Sequence, residues 1–220
     1  MKFSNEEMLQ AMEATGMIPV FNHVDIAVAK GVLDASYKAG IRVFEFTNRT
    51  ANSLEVFKEL YDYAAKYPDL VMGIGTIFTT EQAESFIEAG ADFIVSPALI
   101  RELAVYCNSK DVFWIPGCAT MSEIFQAKKL GASLVKAFPG NVVGSAFVAA
   151  AKSVYPELHI MPTGGVEPTE ENLKEWFDAG VYCVGMGSQL FKKDWIKNQQ
   201  YELLENKIAD TLKIIQSCKS

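Results

Sequence analysis

The sequence predicts an α/β fold, a (β/α)8 TIM barrel with one extra helix at its N-terminus, and three observations carry that expectation. Short runs rich in Val, Ile and Phe alternate eight times with stretches of helical period between about residue 17 and about residue 188. The runs are near-continuously apolar, as strands covered on both faces by helices require. Eight strand-helix units in about 200 residues are what closes a parallel sheet on itself. A doubly wound open sheet is the competing architecture, but its glycine-rich turn after the first strand is absent: Gly16 precedes that run and residues 17-26 contain no glycine.

The elements follow in order. Residues 5-15 are expected to form the extra helix, capping the barrel bottom. The strand runs are 17-22 (MIPVFN), 43-48 (VFEFTN), 71-76 (VMGIGT), 93-97 (FIVSP), 112-117 (VFWIPG), 134-139 (LVKAFP), 159-164 (HIMPTG) and 183-187 (CVGMG). Between them, Thr80 to Ala83 and Thr169 to Asn172 open helices with a capping hydroxyl and nearby acids, and Thr120-Met121-Ser122-Glu123 resembles a capping box. Gly40, Gly90, Gly131 and Gly180 stand where helices need a left-handed terminal residue. The last outer helix is expected over about 202-216. No linker or low-complexity stretch interrupts the pattern, so residues 1-220 read as one domain.

Composition narrows the function classes. A net charge of -7 argues against a nucleic-acid partner. The opening residues lack a signal-peptide core, and no apolar stretch reaches the ~18 residues of a membrane helix, so a cytoplasmic protein without a membrane partner is expected. Cys107, Cys118, Cys183 and Cys218 form no CxxC pair and suit reduced thiols. His23 and His159 are the only histidines, too few for an imidazole-based metal centre; no metal or other cofactor is expected.

Two charged residues break the apolar strand runs. Lys136 stands within Leu134-Val135-Lys136-Ala137-Phe138-Pro139, where packing gives an ammonium no place. Desolvation disfavours its charged form, and the free amine is the nucleophile that attacks ketones to form a Schiff base. Glu45 lies within Val43-Phe44-Glu45-Phe46-Thr47, with Arg49 two alternating positions further on. A nucleophile, a proton shuttle and an anion anchor are thus visible. The competing reading is a structural ion pair between Lys136 and Glu45, although buried pairs often add little stability.

In a barrel of this kind the chemistry lies at the carboxyl ends of the strands. The polar residues there are Asn22, His23, Glu45, Asn48, Arg49, Thr76, Ser96, Lys136, Thr163 and Ser188. Asn22 and His23 read equally as caps of the following helix or as substrate contacts, while His159 begins its strand and belongs to the opposite face. Pro162-Thr163-Gly164-Gly165-Val166 and Gly185-Met186-Gly187-Ser188 follow the seventh and eighth strands, where backbone N-H groups of such barrels often hold phosphate.

These residues resemble the class I 2-keto-3-deoxy-6-phosphogluconate (KDPG) aldolases, also called bifunctional 4-hydroxy-2-oxoglutarate (KHG) aldolases. The matching motifs are Ile18-Pro19-Val20, Phe44-Glu45-Phe46-Thr47-Asn48-Arg49-Thr50, Gly73-Ile74-Gly75-Thr76, Ser96-Pro97, Ile115-Pro116-Gly117, Val135-Lys136-Ala137-Phe138-Pro139, Pro162-Thr163-Gly164-Gly165 and Gly187-Ser188. The resemblance implies that Lys136 is the Schiff-base lysine and Glu45 the acid/base group, and that Arg49 and Thr76 hold the pyruvyl carboxylate. It places Pro97, Phe138 and Thr163 around the substrate and phosphate at Gly164, Gly165, Gly187 and Ser188. It also implies a homotrimer and a small 2-keto acid substrate, KDPG first and unphosphorylated 4-hydroxy-2-oxoglutarate or a related sugar acid second. Ala98, Ala137, Gly140-Asn141, Asn22-His23 and Asn48 depart from the family's usual residues around the pocket and bear on substrate identity. A phosphosugar epimerase or synthase on the same barrel would not use an interior lysine. A non-catalytic phosphosugar-binding barrel would not need Lys136, Glu45 and Arg49 together.

Overall fold

The computed structural model describes residues 2-219, so residues 1 and 220 of the expected unit lie outside the described residues. Nine strands are present among the described residues: β1 (Met17–Phe21), β2 (Val43–Thr47), β3 (Val71–Gly75), β4 (Phe93–Val95), β5 (Phe113–Ile115), β6 (Gly117–Cys118), β7 (Leu134–Ala137), β8 (His159–Pro162) and β9 (Val184–Met186). All their pairings are parallel, in two sheets ordered β5-β4-β3-β2-β1-β9 and β6-β7-β8. A bridge between Thr163 and Gly185 joins β8 to β9.

The fifth expected strand, 112-117, is split in two because Pro116 has no N-H to give to the ladder. Its first half pairs with β4 and its second half with β7, and the Pro116 carbonyl accepts from Lys136 N at 2.8 Å across the gap. Strand by strand the expected runs overreach, mostly at the carboxyl end, where Asn22, Asn48, Thr76, Ser96, Pro97, Phe138, Pro139, Thr163 and Gly164 follow the strands, although Asn48, Ser96, Phe138 and Thr163 still donate their N-H to a carbonyl of the neighbouring strand.

Helix α1 (Asn5–Thr15) is opened by a capping box between Ser4 and Glu7 and closed by Gly16 at φ 71°. Its buried Met8 and Met12 plug the barrel floor against Ile18, Val43, Val71, Phe93, Phe113 and Leu134. The other apolar layer lies between the strands and the outer helices: α2 (Ile26–Lys38), α3 (Ser53–Ala64), α4 (Thr80–Glu88), α5 (Arg101–Ser109), α6 (Met121–Lys129), α7 (Gly140–Val154), α8 (Glu170–Asp178), α9 (Lys193–Lys197) and α10 (Tyr201–Lys219).

The four stop glycines all hold positive φ. Thr120 and Thr169 cap their helices as expected. The start of α4 differs: Thr79, not Thr80, is the cap, because its extended backbone lets its hydroxyl accept from Gln82 N while the Gln82 side chain accepts from Thr79 N. At Thr120 the Glu123 carboxylate reaches Ala119 N rather than closing the box on the cap's own N-H. Helix α9 is too short to leave a periodic signal and was not expected. The final helix runs longer than 202-216, and none of the helices among the described residues is long and apolar enough to cross a membrane.

Candidate active site

Strand alternation decides what faces the barrel axis. On β2, Val43 belongs to the floor, which puts Glu45 one layer higher; on β7, Leu134 and Lys136 repeat the relation. β3 makes room between them with glycine: a β-carbon at Gly73 would stand 2.3 Å from the Phe93 ring, and one at Gly75 would stand 1.9 Å from Glu45 Oε1. Lys136 Nζ lies 3.8 Å from Glu45 Oε1, with the two side chains 5% and 1% exposed. That separation is too long for a hydrogen bond, and neither Glu45 oxygen has a hydrogen-bond partner among the described residues.

Burial dominates both titrations. It raises the Glu45 carboxyl above the usual carboxylate range, against the pull of Lys136 and Arg49. It lowers the Lys136 amine, a change that Glu45 opposes and Arg49 reinforces. Desolvation thus drives the pair toward its neutral form, an acid beside a free amine. The Phe138 ring centroid lies 5.1 Å from Nζ.

Arg49 lies just beyond β2, and its Nε donates to the Thr76 hydroxyl at 3.3 Å. Thr76 holds φ at 64°, a conformation that costs a β-branched residue energy, where the chain leaves β3. At the carboxyl ends of the strands a cavity of about 190 Å³ is lined by Arg49, Phe138, Thr163, Gly164, Gly165, Gly187 and Ser188. Gly164 and Gly165 take φ of 88° and 73°, and a β-carbon on Gly165 would meet Asn141 at 2.6 Å. Gly140 N ties this turn to the start of α7 by donating to Thr163 O at 2.7 Å. The Thr163 hydroxyl is buried without a partner, as the Glu45 carboxyl is. Unpartnered polar atoms in one region cost stability and mark a place built for a ligand's polar groups.

Most of the expected site residues line this cavity, but Lys136, Glu45 and Thr76 lie outside its lining, and so does Pro97. Its carbonyl lies 2.2 Å from where a β-carbon on Gly117 would be, so the proline packs over the break between β5 and β6. Neither Asn22 nor His23 caps α2. Asp25 does, through Ala27 N, while Asn22 Nδ2 donates to Thr47 O at 2.5 Å and His23 Nδ1 accepts from Asp25 N. His159 stacks on Tyr182 at 4.1 Å among residues of the barrel floor. Val20, Val166, Gly185 and Gln189 also line the cavity and are not among the site residues the sequence predicts. Val20 was findable by alternation from Ile18 on the floor; Gln189 carries no signal.

A barrel mouth that buries a lysine against a carboxyl, both driven toward neutrality, is the arrangement of a Schiff-base aldolase. Comparison with known proteins gives the group within that class. The family described as KDPG and KHG aldolase matches residues 8–207. The chain is 34% identical over 160 residues to the 2-dehydro-3-deoxy-phosphogluconate aldolase of Treponema pallidum (strain Nichols), covering 72% of this chain and 75% of the relative. It is 31% identical over 175 residues to that of Zymomonas mobilis subsp. mobilis, covering 79% and 82%. A solved structure of the KDPG aldolase from Legionella pneumophila, with pyruvate captured as a covalent carbinolamine intermediate, matches with a TM-score of 0.84 at 28% identity over 92% of this chain and 97% of that one. This chain belongs to the KDPG and KHG aldolase family and is a class I aldehyde lyase.

Proposed function

We propose that the enzyme cleaves 2-keto-3-deoxy-6-phosphogluconate to pyruvate and glyceraldehyde 3-phosphate through a Schiff base on Lys136. The observation that carries this reading is the 3.8 Å approach of Lys136 Nζ to Glu45 Oε1, both buried and both shifted toward their neutral forms. The free amine attacks the C2 ketone, and the Glu45 carboxyl protonates the carbinolamine oxygen, which leaves as water. The carboxylate so formed takes the C4 hydroxyl proton, through a water. The C3-C4 bond breaks into the iminium, giving an enamine and the free aldehyde. Glu45 then returns its proton to C3, and water releases pyruvate from the lysine.

In this reading Arg49 and Thr76 grip the substrate carboxylate and fix the ketone near the amine. Gly164, Gly165, Gly187 and Ser188 receive the phosphate, with Phe138 and Thr163 along the walls, so that the remote end supplies binding energy. Pro97 shapes the mouth from outside the cavity. The homotrimer, which rests on the family, and the cytoplasmic location, expected from the sequence, belong to the same proposal. The test is trapping: pyruvate with sodium borohydride should leave one reduced pyruvyl adduct per chain, on Lys136. Labelling at another lysine, or none, overturns the assignment.

One observation favours a second substrate. Among the described residues Arg49 is the only cation lining the 190 Å³ cavity, so unphosphorylated 4-hydroxy-2-oxoglutarate fits the same machinery. Pyruvate release from the two keto acids, compared by kcat/KM, decides between them.

A further inference from the structure

Beside the cavity that the proposed reaction occupies lies a larger one that it leaves unused. This cavity holds about 550 Å³ and shares Val20, Arg49 and Ser188 with its smaller neighbour. The shared residues make it a continuation of the mouth and not a separate site. Phe21 and Phe191, whose ring centroids lie 4.9 Å apart, and Ile196 give it apolar walls. Lys193 and Lys197 stand one helical turn apart on α9 and both line it; His23 lines it from the β1 side.

Its charge is one-sided. Among the described residues no carboxylate lines it. Neither lysine side chain has a hydrogen-bond or ion-pair partner among the described residues, in a chain whose net charge is -7. Two unpaired ammonium groups over an apolar wall suit an organic anion with an apolar body, held by charge at one end and by area along its length.

We propose that this cavity is a distal substrate subsite, which admits aldehyde halves longer than three carbons that end in an anion carried on a deoxy or aromatic chain. The proposal rests on the Schiff-base reading above, since the aldehyde must meet the pyruvyl enamine on Lys136. In the synthetic direction the enamine carbon bonds to the aldehyde carbon, the aldehyde oxygen takes a proton, and water frees the product from the lysine. The body of a long aldehyde then passes Arg49 and Ser188, and its anion reaches Lys193 and Lys197.

The test is condensation of pyruvate with a panel of aldehydes. Succinic semialdehyde and 4-carboxybenzaldehyde are the long anions, benzaldehyde is the uncharged control, and glyoxylate and D-glyceraldehyde 3-phosphate are the short acceptors. The wild-type enzyme should turn over both long anions and favour 4-carboxybenzaldehyde over benzaldehyde by about tenfold in KM, the worth of one charge-assisted contact. The double variant Lys193→Gln/Lys197→Gln should raise KM for the long anions by about tenfold and change the short acceptors by less than about twofold. No turnover of the long anions, an unchanged KM in the variant, or equal losses on the short acceptors overturns the subsite. Borohydride trapping of pyruvate alone separates the two ideas: an adduct on Lys136 with a negative panel removes only the subsite, whereas no adduct removes the Schiff-base reading itself.

Discussion

A β-carbon on Gly75 would stand 1.9 Å from Glu45 Oε1, so the carboxyl occupies space that only glycine leaves open on the neighbouring strand. Thr47 pairs with Gly75 in the β2-β3 register, and Glu45 itself pairs with Gly73. The glycine is therefore part of what aims the carboxyl at Lys136.

Gly75→Ala should displace the Glu45 side chain and overpack the barrel. A stability loss of about 1–3 kcal/mol is expected, together with slowed exchange of pyruvate methyl protons into solvent. Thermal denaturation and proton exchange followed by NMR check both; an unaffected exchange rate in a folded variant would show that the carboxyl does not need this space.

Glu45→Gln keeps the side-chain size and removes the base. Pyruvate should still be trapped by borohydride, more slowly because the acid that protonates the carbinolamine oxygen is gone, while methyl-proton exchange falls by roughly 10²–10⁴-fold, the usual worth of a positioned general base. Exchange at the wild-type rate would assign the proton transfer to another group.

Asp92 offers a pH test away from the mouth. It is buried just before β4 and accepts from Met72 N at 2.8 Å, and burial lifts its pKa from 3.8 to about 6. The folded state therefore holds a proton that the unfolded chain releases, and this group's contribution to stability falls as pH rises from 3.8 through about 6. Asp92→Asn can keep the acceptor while abolishing the titration. Denaturant melts should show the variant gaining on the wild type across that window, with the gain levelling off above it. Parallel pH profiles for the two proteins would contradict the assignment.

Ser188 tests the phosphate reading. Ser188→Ala should raise KM for the phosphorylated substrate, costing about 1.5–3 kcal/mol if a hydrogen bond to a charged group is lost. Cleavage of 4-hydroxy-2-oxoglutarate should stay nearly unchanged. Equal losses on both would move Ser188 from phosphate binding to support of the mouth.

Much of the fold was legible because its signals are local. The Thr120 and Thr169 caps, the stop glycines and the apolar strand runs each depend on residues a few positions apart, as helix ends and pleated strands do. The break at Pro116 follows from the missing N-H, but its effect depends on which strand lies on each side, and that is not local. At α4 two adjacent threonines offered the same hydroxyl, and only the extended backbone of Thr79 chose between them.

The sequence by itself determined that Lys136 and Glu45 are misfits in apolar strands and that glycine-rich turns follow β8 and β9, since burial and turn chemistry are properties of residue type and near neighbours. Only the tertiary structure decided that Lys136 Nζ and Glu45 Oε1 stand 3.8 Å apart, that Pro97 packs on Gly117 outside the cavity, and that Lys193 and Lys197 share a cavity wall with Arg49 and Ser188. The physical reason is closure: in a barrel, strand tilt and stagger fix which interior layers meet across the axis. That geometry belongs to the whole ring of strands and to no single segment of the chain.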